Sequence, residues 1–175
     1  MLNRARFFTL ILAALPSLAA AQAPAPVAKA FRDDATAKAR NLIAAAEEMP
    51  AASFGFKPTP GQMTFGSVVM HLAQGNDFLC GAIGGVKAPA RTKVADTAAK
   101  AVLVARLKET FTFCEEALDK LDDSKLGEEV PFFGGKMMTR AAVMTVTTGD
   151  WADHYSQAAI YLRLNGHLPP TAKKP

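Results

Sequence analysis

The sequence predicts an all-α protein, a four-helix bundle. Four long segments carry apolar residues at three- and four-residue spacing, and the stretches between them are rich in proline and glycine. The chain has no internal repeat and no convincing sheet. At 175 residues, half of them apolar, it has material for one core and one domain, expected over residues 30–170.

The first residues, MLNRARFFTLILAALPSLAAAQAPAP, read as an export signal rather than as part of the bundle. Arg4 and Arg6 precede an apolar run from Phe7 to Leu15, and Ala19 and Ala21 form the small-residue pattern of a Sec-type cleavage site. The expectation is cleavage after Ala21 and export to the periplasm, with an uncleaved anchor as the alternative. No later segment approaches the roughly 20 apolar residues of a spanning helix, so no stable membrane span is expected after cleavage. Residues 22–29 form a Pro and Ala lead-in without periodicity, expected to be flexible.

Losing the signal removes two arginines and leaves 18 basic against 16 acidic residues. The remaining cations are scattered and form no stripe interleaved with aromatics, so nucleic acid is not an expected partner.

The first helix is expected from about Phe31 to Glu48, where Phe31, Ala35, Ala39, Leu42, Ile43 and Ala46 share a face and Pro50 closes the segment. The loop PAASFGFKPTPGQ follows, with Phe54 and Phe56 expected to fold back onto the bundle. Thr64 can cap a second helix running to about Ile83, with Val68, Val69, Leu72, Phe78 and Leu79 on its apolar side. After a Pro-containing link, a third helix is expected from about Thr97 to Leu121, with Val102, Leu103, Leu107, Phe111, Cys114 and Leu118 inward. The next stretch can hold a short extended pair around EVPFF and KMM, turning at Gly134 and Gly135. The fourth helix is expected from about Thr139 to Gly166, with Ile160, Leu162 and Leu164 for packing, and residues 171–175 form a tail.

Cys80 and Cys114 are the only cysteines. In an oxidising compartment they can form a disulfide; the alternative is two buried free thiols behaving as small hydrophobes. If the second and third helices made a simple hairpin, the two cysteines would lie roughly 20 Å apart at about 1.5 Å per residue. A bridge therefore requires the two helices to run parallel, with a long crossover between them.

The chemistry-bearing residues lie on the second and fourth helices. Asp150 and His154 stand four apart on one helix face, roughly 5–6 Å between Cβ atoms, close enough to hold one divalent ion together. His71 is the other histidine inside a helix, since His167 lies past the Gly166 stop. Three protein ligands and one open position suit catalytic zinc, while two His and a carboxylate also suit ferrous iron, with nickel or manganese open. The plainer reading is a surface Asp–His pair and a mid-helix His with one hydrogen bond.

Beyond spacing, MTFGSVVMHLAQGNDF and DWADHYSQAAIYLRLNGHLPP, together with the FGFKPTPGQMTFG loop, resemble the DinB-like (YfiT-like) family of four-helix metal-binding proteins. The likeness runs from Phe31 to Pro170. It implies a divalent metal held by one histidine on the second helix and two in an HxxxH on the fourth. His71 and His154 match the outer positions, whereas Asp150 stands where the family has its middle histidine. Gln157 matches the family's Gln and is expected to orient a ligand or a bound water from the second shell. Asp153 and Asn76 are further second-shell candidates, and Trp151 and Tyr155 are expected to pack.

The resemblance implies a metal-dependent hydrolase or thiol transferase acting on an unidentified small molecule, since relatives include thiol transferases and an isomerase that use low-molecular-weight thiols. Two other readings stand beside it: a module that binds metal or ligand without turnover, and a metal-free bundle acting through protein contacts or as a homodimer.

Overall fold

The computed structural model describes residues 25–173; the expected signal peptide and its cleavage site lie outside them. Four helices form the body: α1 (Pro26–Glu48), α2 (Phe65–Gly84), α3 (Lys100–Leu118) and α4 (Arg140–Leu164). An antiparallel hairpin, β1 (Glu129–Phe132) and β2 (Lys136–Thr139), precedes α4, pairing Glu129 with Thr139 and Phe132 with Lys136. Among the described residues no helix is long and apolar enough to cross a membrane.

Neighbouring pairs give the helix directions. Asn76 lies against Thr110, and Cys80 and Cys114 have Cα atoms 5.0 Å apart, so α2 and α3 run parallel. His71 meets His154, and the Arg140 guanidinium reaches the Ile83 carbonyl, so α4 runs antiparallel to α2. Phe31 stacks on Trp151 and Glu48 meets His167, which makes α1 parallel to α4. The order around the bundle is α1–α3–α2–α4. Residues 85–99 run back along it as a strap, the crossover that a Cys80–Cys114 bridge demands. Two contacts pin the strap: Arg91 donates twice to Asp77, at 2.6 and 3.0 Å, and the Ser67 hydroxyl donates to Asp96 at 2.6 Å.

Caps explain the boundaries. Thr64 Oγ1 accepts from the Ser67 N–H at the start of α2, and Gly85 ends that helix with φ of 68°, a left-handed conformation open to glycine. Arg140, only 5% exposed, donates to the last carbonyls of α2 at Ala82 and Ile83 and pairs with Glu128 at 2.7 Å. Helix α1 begins at Pro26, five residues before the expected Phe31, so the end of the lead-in is helical. The cause is remote in sequence: the Asp123 carboxylate accepts from the Val27 and Ala28 N–H groups at 3.1 and 2.8 Å, capping a helix whose own residues offer no cap.

The core is continuous through all four helices, with Leu42, Met49, Phe65, Leu103, Leu107, Trp151 and Leu162 among its fully buried members. Phe54 and Phe56 fold back as expected, edge-on to Phe65 and Tyr161. Four expected core residues face outward instead. Ile160 and Leu164 are exposed while Leu162 is buried, because residues two apart on a helix point about 200° apart. Val102 stands one position off the stripe Leu103–Leu107–Phe111–Cys114–Leu118 and is exposed, and Phe78 leans out towards the hairpin. At the C-terminus, Pro170–Ala172 form a short 3-10 turn fastened by Thr171 to the Tyr155 hydroxyl, and Lys173 pairs with Glu48.

Candidate metal centre

The α2–α4 contact brings His71, Asp150 and His154 together. One donor atom from each lies within 4.8 Å of the other two, and among the described residues this is the one such cluster of three. The antiparallel register places His71 level with His154, their rings edge-to-face with centroids 4.8 Å apart. Helical periodicity then sets Asp150 one turn along from His154. His154 is buried, Asp150 is partly exposed and His71 is exposed, so the cluster opens to solvent on the His71 side.

Hydrogen bonds fix the state of His154. Gln157 Nε2 donates to Asp153 at 2.8 Å, which turns its Oε1 towards His154 Nδ1 at 3.3 Å. An amide oxygen only accepts, so Nδ1 carries the proton and neutral His154 presents its Nε2 lone pair. That lone pair faces Asp150 Oδ1 at 3.4 Å. Two acceptors facing each other need a cation between them. A proton can serve, and Asp150 accordingly raises the His154 pKa against the opposing effect of burial. A divalent ion can serve equally, with His71 alongside as third donor. The residues present therefore fit a small cation with mixed nitrogen and oxygen ligands.

The other expected residues divide. Gln157 stands behind His154 and accepts from its Nδ1, and Asp153 acts through Gln157. Asn76 does not serve the cluster: it is buried, accepts from Trp151 Nε1 at 2.8 Å and donates to Thr110 at 3.2 Å, tying α2 to α3 and α4. Trp151 packs as expected. Cys80 and Cys114 are joined in a disulfide on the α2–α3 side of the bundle, away from the cluster. Gly75 follows His71 by four residues on α2, and a Cβ there would meet nothing within 4 Å.

The DinB superfamily profile matches residues 34–158, a span that contains all three candidate ligands. A DinB-like protein from Bacillus cereus is 20% identical with a TM-score of 0.68, the match covering 81% of this chain and 95% of that one. A DinB-like protein from Bacillus subtilis is 17% identical with a TM-score of 0.62, covering 79% and 93%. A histidine-to-alanine variant of a mycothiol-dependent maleylpyruvate isomerase is 11% identical with a TM-score of 0.60, covering 74% of this chain and 59% of the isomerase. At these identities the likeness is one of fold. No curated protein matches the chain. The profile spans most of the sequence, and the solved structures share its fold: the chain belongs to the DinB superfamily.

Proposed function

We propose that the protein is an exported metal-dependent enzyme that holds one divalent ion, zinc first, through His71, Asp150 and His154. The observation that carries this reading is the pair of facing acceptors, His154 Nε2 and Asp150 Oδ1, with the His71 ring beside them. A bound divalent ion supplies Lewis acidity and lowers the pKa of a water or thiol towards neutrality. The chain's own residues do the rest. Gln157 keeps His154 in the tautomer that offers Nε2, and Asp150 contributes a negative charge that reduces the net charge of the site. The exposed His71 side is where a substrate enters. Hydrolysis and thiol transfer both suit such a site, and the kinship with a thiol-dependent isomerase supports including thiols among trial substrates. The Cys80–Cys114 bridge supports an oxidising compartment, in keeping with the expected signal peptide.

Metal content of the untagged protein, measured by plasma mass spectrometry after reconstitution with zinc, iron(II), nickel or manganese, tests this. About one ion per chain is expected, falling at least tenfold in His154→Ala and His71→Ala. A protein that stays empty with all four metals overturns the proposal. The reading without turnover draws on the openness of the site: a cleft of about 470 Å³, lined by Ala35, Ala39 and Phe111, lies on the opposite α1–α3 face. Full metal loading with no chelator-sensitive activity across esters, amides and thiol acceptors would favour that module.

A further inference from the structure

The metal cluster does not end at its three ligands. On α2, His71, Gly75 and Phe78 share one helix face, so Phe78 stands two turns from His71, about 10 Å along the axis. Phe78 is 37% exposed, and the Phe133 ring at the hairpin turn, 49% exposed, stacks on it with centroids 4.6 Å apart. Gly134 and Gly135 both have positive φ, near 70°, and fold the turn that presents Phe133 there. Between this ledge and Phe132–Met137 lies a cleft of about 420 Å³.

Between the cluster and the ledge, α2 carries no side chain at position 75. Gly75 sits in the middle of α2, where glycine disfavours a helix relative to alanine. Packing does not require it, since a Cβ there would meet nothing within 4 Å. The other glycines of α2 contrast with it: at Gly66, Gly81 and Gly84 a Cβ would come within 2.2–2.9 Å of backbone oxygens. What the glycine at 75 does provide is open space on the α2 face between His71 and Phe78.

We infer that the cluster and the Phe78–Phe133 ledge form one elongated substrate site, joined across Gly75. The ligand it takes is amphipathic, with a metal-coordinating polar head at His71, Asp150 and His154 and an aromatic or other apolar group about 10 Å away on the ledge. This inference rests on the metal reading for the head and on the exposed aromatics for the tail. A flat, partly exposed pair of rings gains from a third ring stacked on it. The occupant is a small molecule rather than a protein, because the cluster and the ledge share one α2 face about 10 Å apart with open space at Gly75 between them.

The test uses the metal-loaded full chain and a series of ω-phenylalkyl hydroxamates of increasing chain length, with acetohydroxamate as the head alone, measured by titration calorimetry. Affinity should rise with chain length to a maximum near the 10 Å span, at least tenfold above acetohydroxamate. Phe78→Ala and Gly75→Leu should abolish that gain while leaving metal content and acetohydroxamate binding unchanged. Gly75→Leu also improves helix propensity, so it separates blockage from unfolding. A gain that persists in both variants overturns the inference. Failure of the metal reading is seen separately, as absent metal and no acetohydroxamate binding. In that case 4-phenylbutan-1-ol, which needs no metal, decides the ledge by chemical-shift changes at Phe78 and Phe133: their presence in the wild type and loss in Phe78→Ala supports it, and their absence overturns it. Sedimentation showing a wild-type dimer that Phe78→Ala splits would also overturn it, by assigning the ledge to a second copy.

Discussion

Helix α2 has two working faces, and they are built in opposite ways. The face turned to α3 and the strap is closed: Gly66, Gly81 and Gly84 admit backbone to near contact, Cys80 is bonded to Cys114, and Asn76 is fully partnered. The side turned to α4 is held at its ends by Phe65 with Tyr161 and by Arg140 on the last carbonyls, and in the core by Trp151 donating to Asn76. Towards solvent, His71 of α2 meets Asp150 and His154 of α4, and the space beside Gly75 is open. The same residue type thus serves opposite purposes one or two turns apart. Where glycine lets two backbones touch, it fixes the parallel pair; where it touches nothing, it leaves room for a ligand.

Breaking the closed face should cost the most. Replacing both cysteines by alanine removes a constraint on 34 residues of separation, worth about 3–4 kcal/mol in the chain-entropy view. A urea titration of Cys80→Ala/Cys114→Ala against the oxidised protein should show that loss, and an unchanged midpoint would mean the bridge is not a stability element. Gly84→Ala comes next, because its Cβ would lie 2.2 Å from the Ala117 carbonyl oxygen, and about 3 kcal/mol of overpacking is expected.

The open face should respond to protons rather than to volume. In chelator-treated protein the Asp150 carboxylate raises the His154 pKa, so the pair stabilises the fold below the unfolded histidine's value of about 6.5, and that contribution disappears as pH rises through the higher folded value. Thermal unfolding should therefore show a larger deficit of Asp150→Asn relative to wild type at pH 6 than at pH 8.5. Metal loading should run the other way, weakening at low pH, since the ion needs neutral His154. The smallest effect is at Gly75: Gly75→Ala should stabilise by about 0.5–1 kcal/mol, the reverse of Gly84→Ala, through helix propensity alone. Opposite signs at two glycines of one helix would be the sharpest expression of the contrast between its faces.

Much of this was legible from local pattern. The Thr64 cap, the glycine stop after α2, the hairpin turn at Gly134 and Gly135 and the i, i+4 pairing of Asp150 with His154 are each decided within a few residues. Where reading failed, the cause was either phase or distance. Hydrophobicity alone favours Ile160 and Leu164 for the core, yet their spacing from Leu162 turns them outward. The start of α1 has one local signal, proline at the first helical position, but its cap is Asp123, some 95 residues away.

The sequence by itself determined four amphipathic helices, their breaks and a short list of donors, because helical periodicity, capping and turn chemistry act over one or two turns of chain. Only the tertiary structure decided which donors meet, that α2 and α3 run parallel, that Asn76 belongs to the core, and that the space beside Gly75 is open. Those outcomes depend on the register of one helix against another, which is set by close packing across the whole bundle and leaves no trace at a fixed spacing in the chain.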